Sequence, residues 1–361
     1  MNTRLSSGST EIKSVNINKW NPDMKTKIVF ILILLFIICS CQTKHNSQIH
    51  VQYFNKETVR RLGGENGFRV YDKNPVLTSG NSGEWDAGAL GSMSLLRVGE
   101  VYHMYYEAWG TRSEKEWDAD EYNSLQIGHA ISLDGIHWTK DPDNPVLPRG
   151  ASGEWDRNGT WDPFVIFEDG MFKMWYGGGN EECDWGFAVS KDGSHFEKKG
   201  RISQLGGVED NHVVHDTDNN MYYMYYWDRE YEPTALFRAK SVNETGFDYT
   251  NPDPIRLNGE IYPFKYKFTH VIKEDRLWHM FYADFVRPHC AESVTRYATS
   301  TDGLHWFSRN KNILKGMDAE LLKADDGLYL MYFGPQGYFD RKGCDIRVAV
   351  YNGRLNKLVQ K

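Results

Sequence analysis

Apolar and aromatic positions along residues ~70–355 fall in short runs of alternating character, and no long segment carries a 3.6-residue apolar period. Five runs share one form: Tyr102-His-Met-Tyr-Tyr106, Phe172-Lys-Met-Trp-Tyr176, Tyr222-Tyr-Met-Tyr-Tyr226, Trp278-His-Met-Phe-Tyr282 and Tyr329-Leu-Met-Tyr-Phe333. A further run closing in a tight turn follows most of them, as in Ala130-Ile-Ser-Leu-Asp-Gly-Ile-His-Trp138, Ala188–Phe196 and Ala298–Trp306. A degraded copy spans Ala239–Phe247, and the last, Ile346–Tyr351, lacks the Asp-Gly turn. Aromatic and β-branched residues on alternating positions, punctuated by Asp-Gly, predict antiparallel strands and hairpins. The predicted class is all-β.

The runs belong to a larger repeat. Asn-Pro-Val-Leu, Gly-Glu-Trp-Asp and Met-(Tyr/Trp)-Tyr occur in this order at residues 74–106 and again at 144–176, at a constant offset of 70 residues. The central methionines, Met104, Met174, Met224, Met280 and Met331, lie about 50 to 70 residues apart. Four strands of roughly 5–6 residues with their turns fill such a unit. That is the make-up of a propeller blade, and radial repetition leaves only short, protected sheet edges. A β-helix has much shorter repeats, and a sandwich does not repeat its turns at blade spacing. The pattern predicts a five-bladed β-propeller over residues 69–361. Recurring residues are expected to build the fold, and residues that break the pattern are the candidates for chemistry.

Ahead of the repeats, Ile28–Ile38 is an unbroken apolar run preceded by Lys25 and Lys27. A membrane-spanning helix needs about 20 such residues, so the run reads as the core of a signal peptide over residues 1–40, with Met24 as an alternative start. Ile38-Cys-Ser-Cys41 has the form of a bacterial lipobox. The expectation is lipidation of Cys41, a tether over residues 41–68, and a lipid-anchored protein of the bacterial cell envelope, periplasmic or at the outer-membrane surface. Cys183, Cys290 and Cys344 have no Cys-x-x-Cys spacing that would mark a metal site. The chain carries 42 basic and 49 acidic residues. Its first 40 residues are basic on balance, so the remainder is more acidic than the total, which excludes nucleic acid as a partner.

Aligning the blades on their Met-Tyr-Tyr runs brings the preceding strands, which line a propeller's axis, into register. Trp161-Asp-Pro-Phe164 of the second blade then falls opposite Gly91-Ser-Met-Ser94, with Ser92 facing Asp162. Later blades place Glu209-Asp-Asn-His212, Lys267-Phe-Thr-His270 and Asp318-Ala-Glu320 there. Glycosidic cleavage requires paired carboxylates, one to protonate the leaving oxygen and one to act as base or nucleophile. The candidates are Asp162 and Glu209, with Asp210, Asp318 and Glu320 beside them. Asp86 is the blade-one acid just ahead of the inner strand, although it recurs as Asp156. His212 and His270 share one register and are expected to face the axis, as core or substrate-binding residues more than as metal ligands. Trp109, Trp161 and Trp227 are expected to form a stacking wall for sugar rings. Asp134, Asp192 and Asp302 recur in one turn and are assigned to structure.

These motifs resemble the five-bladed furanosidase superfamily, the arabinanase/xylosidase-like enzymes of glycoside hydrolase family 43 and the invertase-like enzymes of family 32. Asp162-Pro163 is similar to the segment whose aspartate orients substrate and tunes the acid. Glu209-Asp-Asn211 is similar to the segment that supplies the general acid, with Asn211 in place of a proline. The family's base would fall near Gly91-Ser92, where there is no carboxylate. Either Asp86 substitutes, or Asp162 takes the role, or hydrolysis has been lost. The resemblance implies a glycoside hydrolase acting on a polysaccharide or oligosaccharide, with no organic cofactor and at most a structural calcium. Two rivals share the propeller: a non-catalytic glycan-binding lipoprotein, and a glycoside phosphorylase, for which Arg287 and His289 are the basic candidates.

Overall fold

Each aromatic run becomes the second strand of an antiparallel four-stranded blade, and five such blades form, the fourth extended at its outer edge to a six-stranded sheet. The computed structural model describes residues 53–110, 125–179, 183–202, 208–228, 235–250, 252–261, 266–285, 293–334 and 345–358. Blade one is Ala89–Val98, Val101–Trp109, Gln126–Ser132 and Trp138–Lys140; blade two is Thr160–Glu168, Met171–Gly179, Cys183–Ser190 and Glu197–Arg201. Blade three is Val208–Asp216, Met221–Asp228, Ala235–Ser241 and Asp253–Pro254. Blade four is Tyr266–Glu274, Leu277–Phe285, Ser293–Ser300 and His305–Lys315, with Arg256–Leu257 added in parallel at its outer edge. Blade five takes Met317–Asp325, Leu328–Gly334 and Arg347–Asn352 from the end of the chain. The first strand of each blade packs against the first strands of both neighbours, which closes the ring.

The repeated methionine explains why the blades associate. All five are fully buried, and each belongs to a different apolar cluster between two adjacent blades. An unbranched, polarizable side chain fills the irregular gap between two twisted sheets. The Asp-Gly turns fasten the same interfaces with polar contacts. Asp134 Oδ1 accepts the N–H groups of Ile136 and His137, and Asp192 and Asp302 repeat the arrangement with Ser194/His195 and Leu304/His305. The glycine that follows has φ of +75°, +85° or +74°, a conformation only glycine adopts freely. Its carbonyl accepts the tyrosine hydroxyl of the preceding blade: Tyr332 to Gly135, Tyr105 to Gly193 and Tyr225 to Gly303.

The chain enters the propeller at residue 69, and part of the 41–68 segment expected to be a tether docks on it. Arg69–Val70 supplies the fourth strand of blade five by pairing with Ala349 and Val350. Before it lies a short helix, Lys56–Leu62, capped by Asn55, whose Oδ1 accepts the Thr58 N–H at 2.8 Å. The helix buries Val59 and extends Arg60 to Asn352 and Asp325 of blade five, while the Phe54 N–H reaches Asp134 of blade one. A seven-residue, mostly polar helix has no strand alternation, so its docking was invisible in the pattern. Residues 1–52, Cys41 among them, lie outside the described residues.

Candidate active site

Every first strand carries a bulge near its start, where two residues oppose one on the second strand. A bulge bends the strand and re-aims side chains. Five bulges around one axis therefore bring residues of every blade to a common mouth. The resulting hollow, about 400 Å³ with its open end, is lined by residues of all five blades: Ser92 and Met93, Asp162 to Phe164, Asn211, Thr269, and Asp318 with Glu320. Counted from the residue paired with each methionine, Ser92, Asp162, Asp210, Phe268 and Asp318 share one position. The register read from the sequence holds.

Two of these positions hold carboxylates in left-handed backbone. Asp162 has φ +43° and Asp318 φ +53°, a region non-glycine residues enter rarely and mostly where the surroundings over-determine it. Asp162 is clamped from both sides. Its N–H donates to Glu107 Oε2 at 2.9 Å, and its carbonyl accepts from Asn211 Nδ2 at 3.0 Å. Glu107 was missed by the sequence reading, although it breaks the pattern. The corresponding second-strand residues are Gly177, Trp227, Ala283 and Gly334, and Glu107 is the only acid among them. It is buried, and in blade one the bulge is displaced by one residue, so that Gly91-Ser92 faces it. Blade one thus sends a buried carboxylate from its second strand to the backbone of Asp162.

The third bulge-side position holds Ser94, Phe164, His212, His270 and Glu320 in turn. The last three are in contact. Glu320 Oε2 lies 2.6 Å from His270 Nδ1, the two imidazole rings are 4.5 Å apart edge to face, and His212 Nε2–H donates to the Val271 carbonyl at 2.7 Å. Burial pushes both histidines down to about 3, with His270 adding to the effect at His212. Burial pushes Glu320 up to about 8, against a smaller downward pull from His212. Burial thus disfavours the charged form on both partners of this contact. Among the described residues these three also form the one group close enough to share a cation, with ligand atoms within 4.8 Å. Their contacts are already those of a hydrogen-bonded set, because His212 Nε2 is spent on a carbonyl and Glu320 on His270.

Other expected site residues go elsewhere. Asp86 is buried away from the mouth, where Lys140 Nζ at 2.6 Å and the Tyr106 hydroxyl hold it. Asp156 repeats this with Lys198 at 2.7 Å and Tyr176, so Asp86 is a framework residue and the expectation of a base there is corrected. The stacking wall is corrected too: Trp109, Trp161 and Trp227 are 5%, 2% and 0% exposed and pack within the sheets. The backbone places Glu209 opposite Trp227, one residue ahead of the bulge, and Asp210 at the position of Asp162. The side chains of both, and the whole of Arg287 and His289, lie outside the described residues.

No family model matches the chain. It is 30% identical over 139 residues to the uncharacterised protein Rv1502 of Mycobacterium tuberculosis, covering 36% of this chain and 42% of that one. It is 28% identical over 138 residues to the 1,2-beta-oligomannan phosphorylase of a Thermoanaerobacter species, covering 37% of this chain and 44% of that one. The chain thus spans less than half the length of these relatives. Among solved structures it superposes on the beta-1,2-mannobiose phosphorylase of Listeria innocua with a TM-score of 0.63, at 14% identity, covering 81% of this chain and 98% of that one. A thermostable family-43 glycoside hydrolase gives a TM-score of 0.56 at 17% identity, covering 76% and 91%. At such identities the likeness concerns the fold, which is that of propeller glycoside-cleaving enzymes.

Proposed function

We propose that the protein is a glycoside hydrolase that cleaves O-glycosidic bonds of an oligosaccharide or polysaccharide end held in the axial mouth. The observation that carries this reading is the convergence of Asp162, Asp318 and Glu320, from blades two and five, on one hollow. Cleavage needs one carboxyl to give a proton and another, ionised, to act as base or nucleophile. Asp162 is the residue best placed for the second role, because its backbone is held on both sides by Glu107 and Asn211. Met93, Pro163 and Phe164 offer an apolar wall. Asn211 Oδ1 and Thr269 Oγ1 are buried without a partner among the described residues, so they are free to meet sugar hydroxyls. Acid–base chemistry of this kind needs no organic cofactor. The lipobox at Cys41 supports an envelope lipoprotein, which Cys41→Ser would release from membranes into the soluble fraction.

A phosphorylase is the second reading, supported by the likeness to the two phosphorylases above. One assay separates them. Purified protein from residue 53 onward is incubated with aryl glycosides and with oligosaccharides, β-1,2-mannosides included, with and without inorganic phosphate. Free reducing sugar without phosphate supports hydrolysis, and sugar 1-phosphate formed only with phosphate supports the second reading. Binding without turnover under either condition would remove both.

A further inference from the structure

Glu320 stands apart from the other acids of the mouth. It comes from blade five, at the position where blades three and four carry histidines, and its oxygen is bonded to the ring of the blade-four histidine. Asp162 and Asp318 sit at the bend of their bulges, whereas Glu320 lies just beyond along its strand and still in the lining of the mouth. The groups bonded to it or beside it are His270 from blade four and His212 from blade three, and Asp318 and Asp162 line the same hollow. Among the described residues its ionic partner is a histidine and not a lysine or arginine. A carboxyl in this setting keeps its proton, as burial favours the neutral form.

We propose that Glu320 is the proton donor of the axial site, and that His270 is the positioning residue that holds its Oε2, so that the other carboxyl oxygen carries the proton toward the glycosidic oxygen. In the step, the Glu320 proton passes to the leaving oxygen as the bond from that oxygen to the anomeric carbon breaks, the electron pair staying with oxygen. Water adds at the anomeric carbon and gives its proton to a carboxylate of the mouth, Asp162 or Asp318. Exchange with solvent then returns Glu320 to its acid form. His212, held by the Val271 carbonyl, packs its ring against His270 and fixes that ring's orientation. The inference rests on the proposed glycosidase reading.

Two variants and two readouts test it. With Glu320→Gln, kcat on an unactivated oligosaccharide falls ~10²–10⁴-fold, the usual worth of general acid help. On aryl glycosides with a strongly acidic phenol, which leave without protonation, the fall is less than about tenfold. With His270→Ala, water reaches Glu320 and the alkaline limb of the kcat/KM profile moves to lower pH; His270→Gln, which keeps a polar partner for Oε2, lies between. A purely structural histidine would lower Tm without moving that limb. The second readout needs no substrate. A carboxyl whose folded pKa is raised to about 8 stabilises the fold below its unfolded pKa, and that stability is lost as pH rises through about 8. Glu320→Gln removes this dependence, so its Tm gains on wild type as pH is raised. Wild-type rates on the oligosaccharide in Glu320→Gln, or a Tm difference that is flat with pH, overturn the proposal and leave the glycosidase reading standing. Wild-type protein without turnover of any glycoside removes the reading and the proposal together.

Discussion

Asp302, in a turn of blade four, and Asp318, in the bulge that opens blade five, are acids of opposite design. Asp302 is self-sufficient: two backbone N–H groups, the Ser300 hydroxyl and the His305 ring surround it within one turn. Burial alone would raise its pKa, but these donors hold it well below the usual carboxylate range. Asp134 and Asp192 carry the same set of bonds. Asp318 sits in left-handed backbone and lines a hollow built with four other blades. The contrast teaches that an acid which recurs brings its own partners, because each copy of the repeat must close locally. An acid facing the axis takes its surroundings from other blades and need not recur.

Three experiments would break or sharpen this contrast. Asp162→Asn is expected to lower kcat on both natural and aryl glycosides by ~10²–10⁴-fold, as loss of a base or nucleophile affects every leaving group; Tm should stay nearly unchanged. A large fall in Tm with unchanged kcat would make Asp162 another framework acid. Next in size, Asp86→Asn and Asp156→Asn should each destabilise by about 1–3 kcal/mol, the cost of leaving a charged partner short of its acceptor. Denaturant midpoints should fall alike for the two, with turnover per folded molecule intact; an isolated loss of activity in Asp86→Asn would restore it as a base. Smallest is Asp302→Ala, which should cost on the order of 1 kcal/mol by thermal scan and leave kcat unaltered. A collapse of activity there would end the rule that recurrence marks structure.

The repeat told apart the framework acids of the turns because identical local sequence makes identical local bonds. It misjudged the indoles: Trp109, Trp161 and Trp227 flank the mouth in sequence, but the strand pleat sends them into the sheets. Glu107 was legible in principle as a lone acid in an apolar run. A second-strand position gives no local sign of reaching the axis, and its contact with Asp162 crosses from one blade to the next.

Period-two alternation and a recurring blade unit were enough, by themselves, to establish an all-β chain, five blades and which turns are framework, since strand pairing and turn chemistry are decided over a few residues. Which acids meet was decided only by tertiary structure. Closure of the ring brings blade five beside blade one, seats the Lys56–Leu62 helix on blade five, and places Glu320 against His270 of the neighbouring blade. Burial where blades three, four and five meet, which no local pattern encodes, is what favours the neutral form of one carboxyl among several.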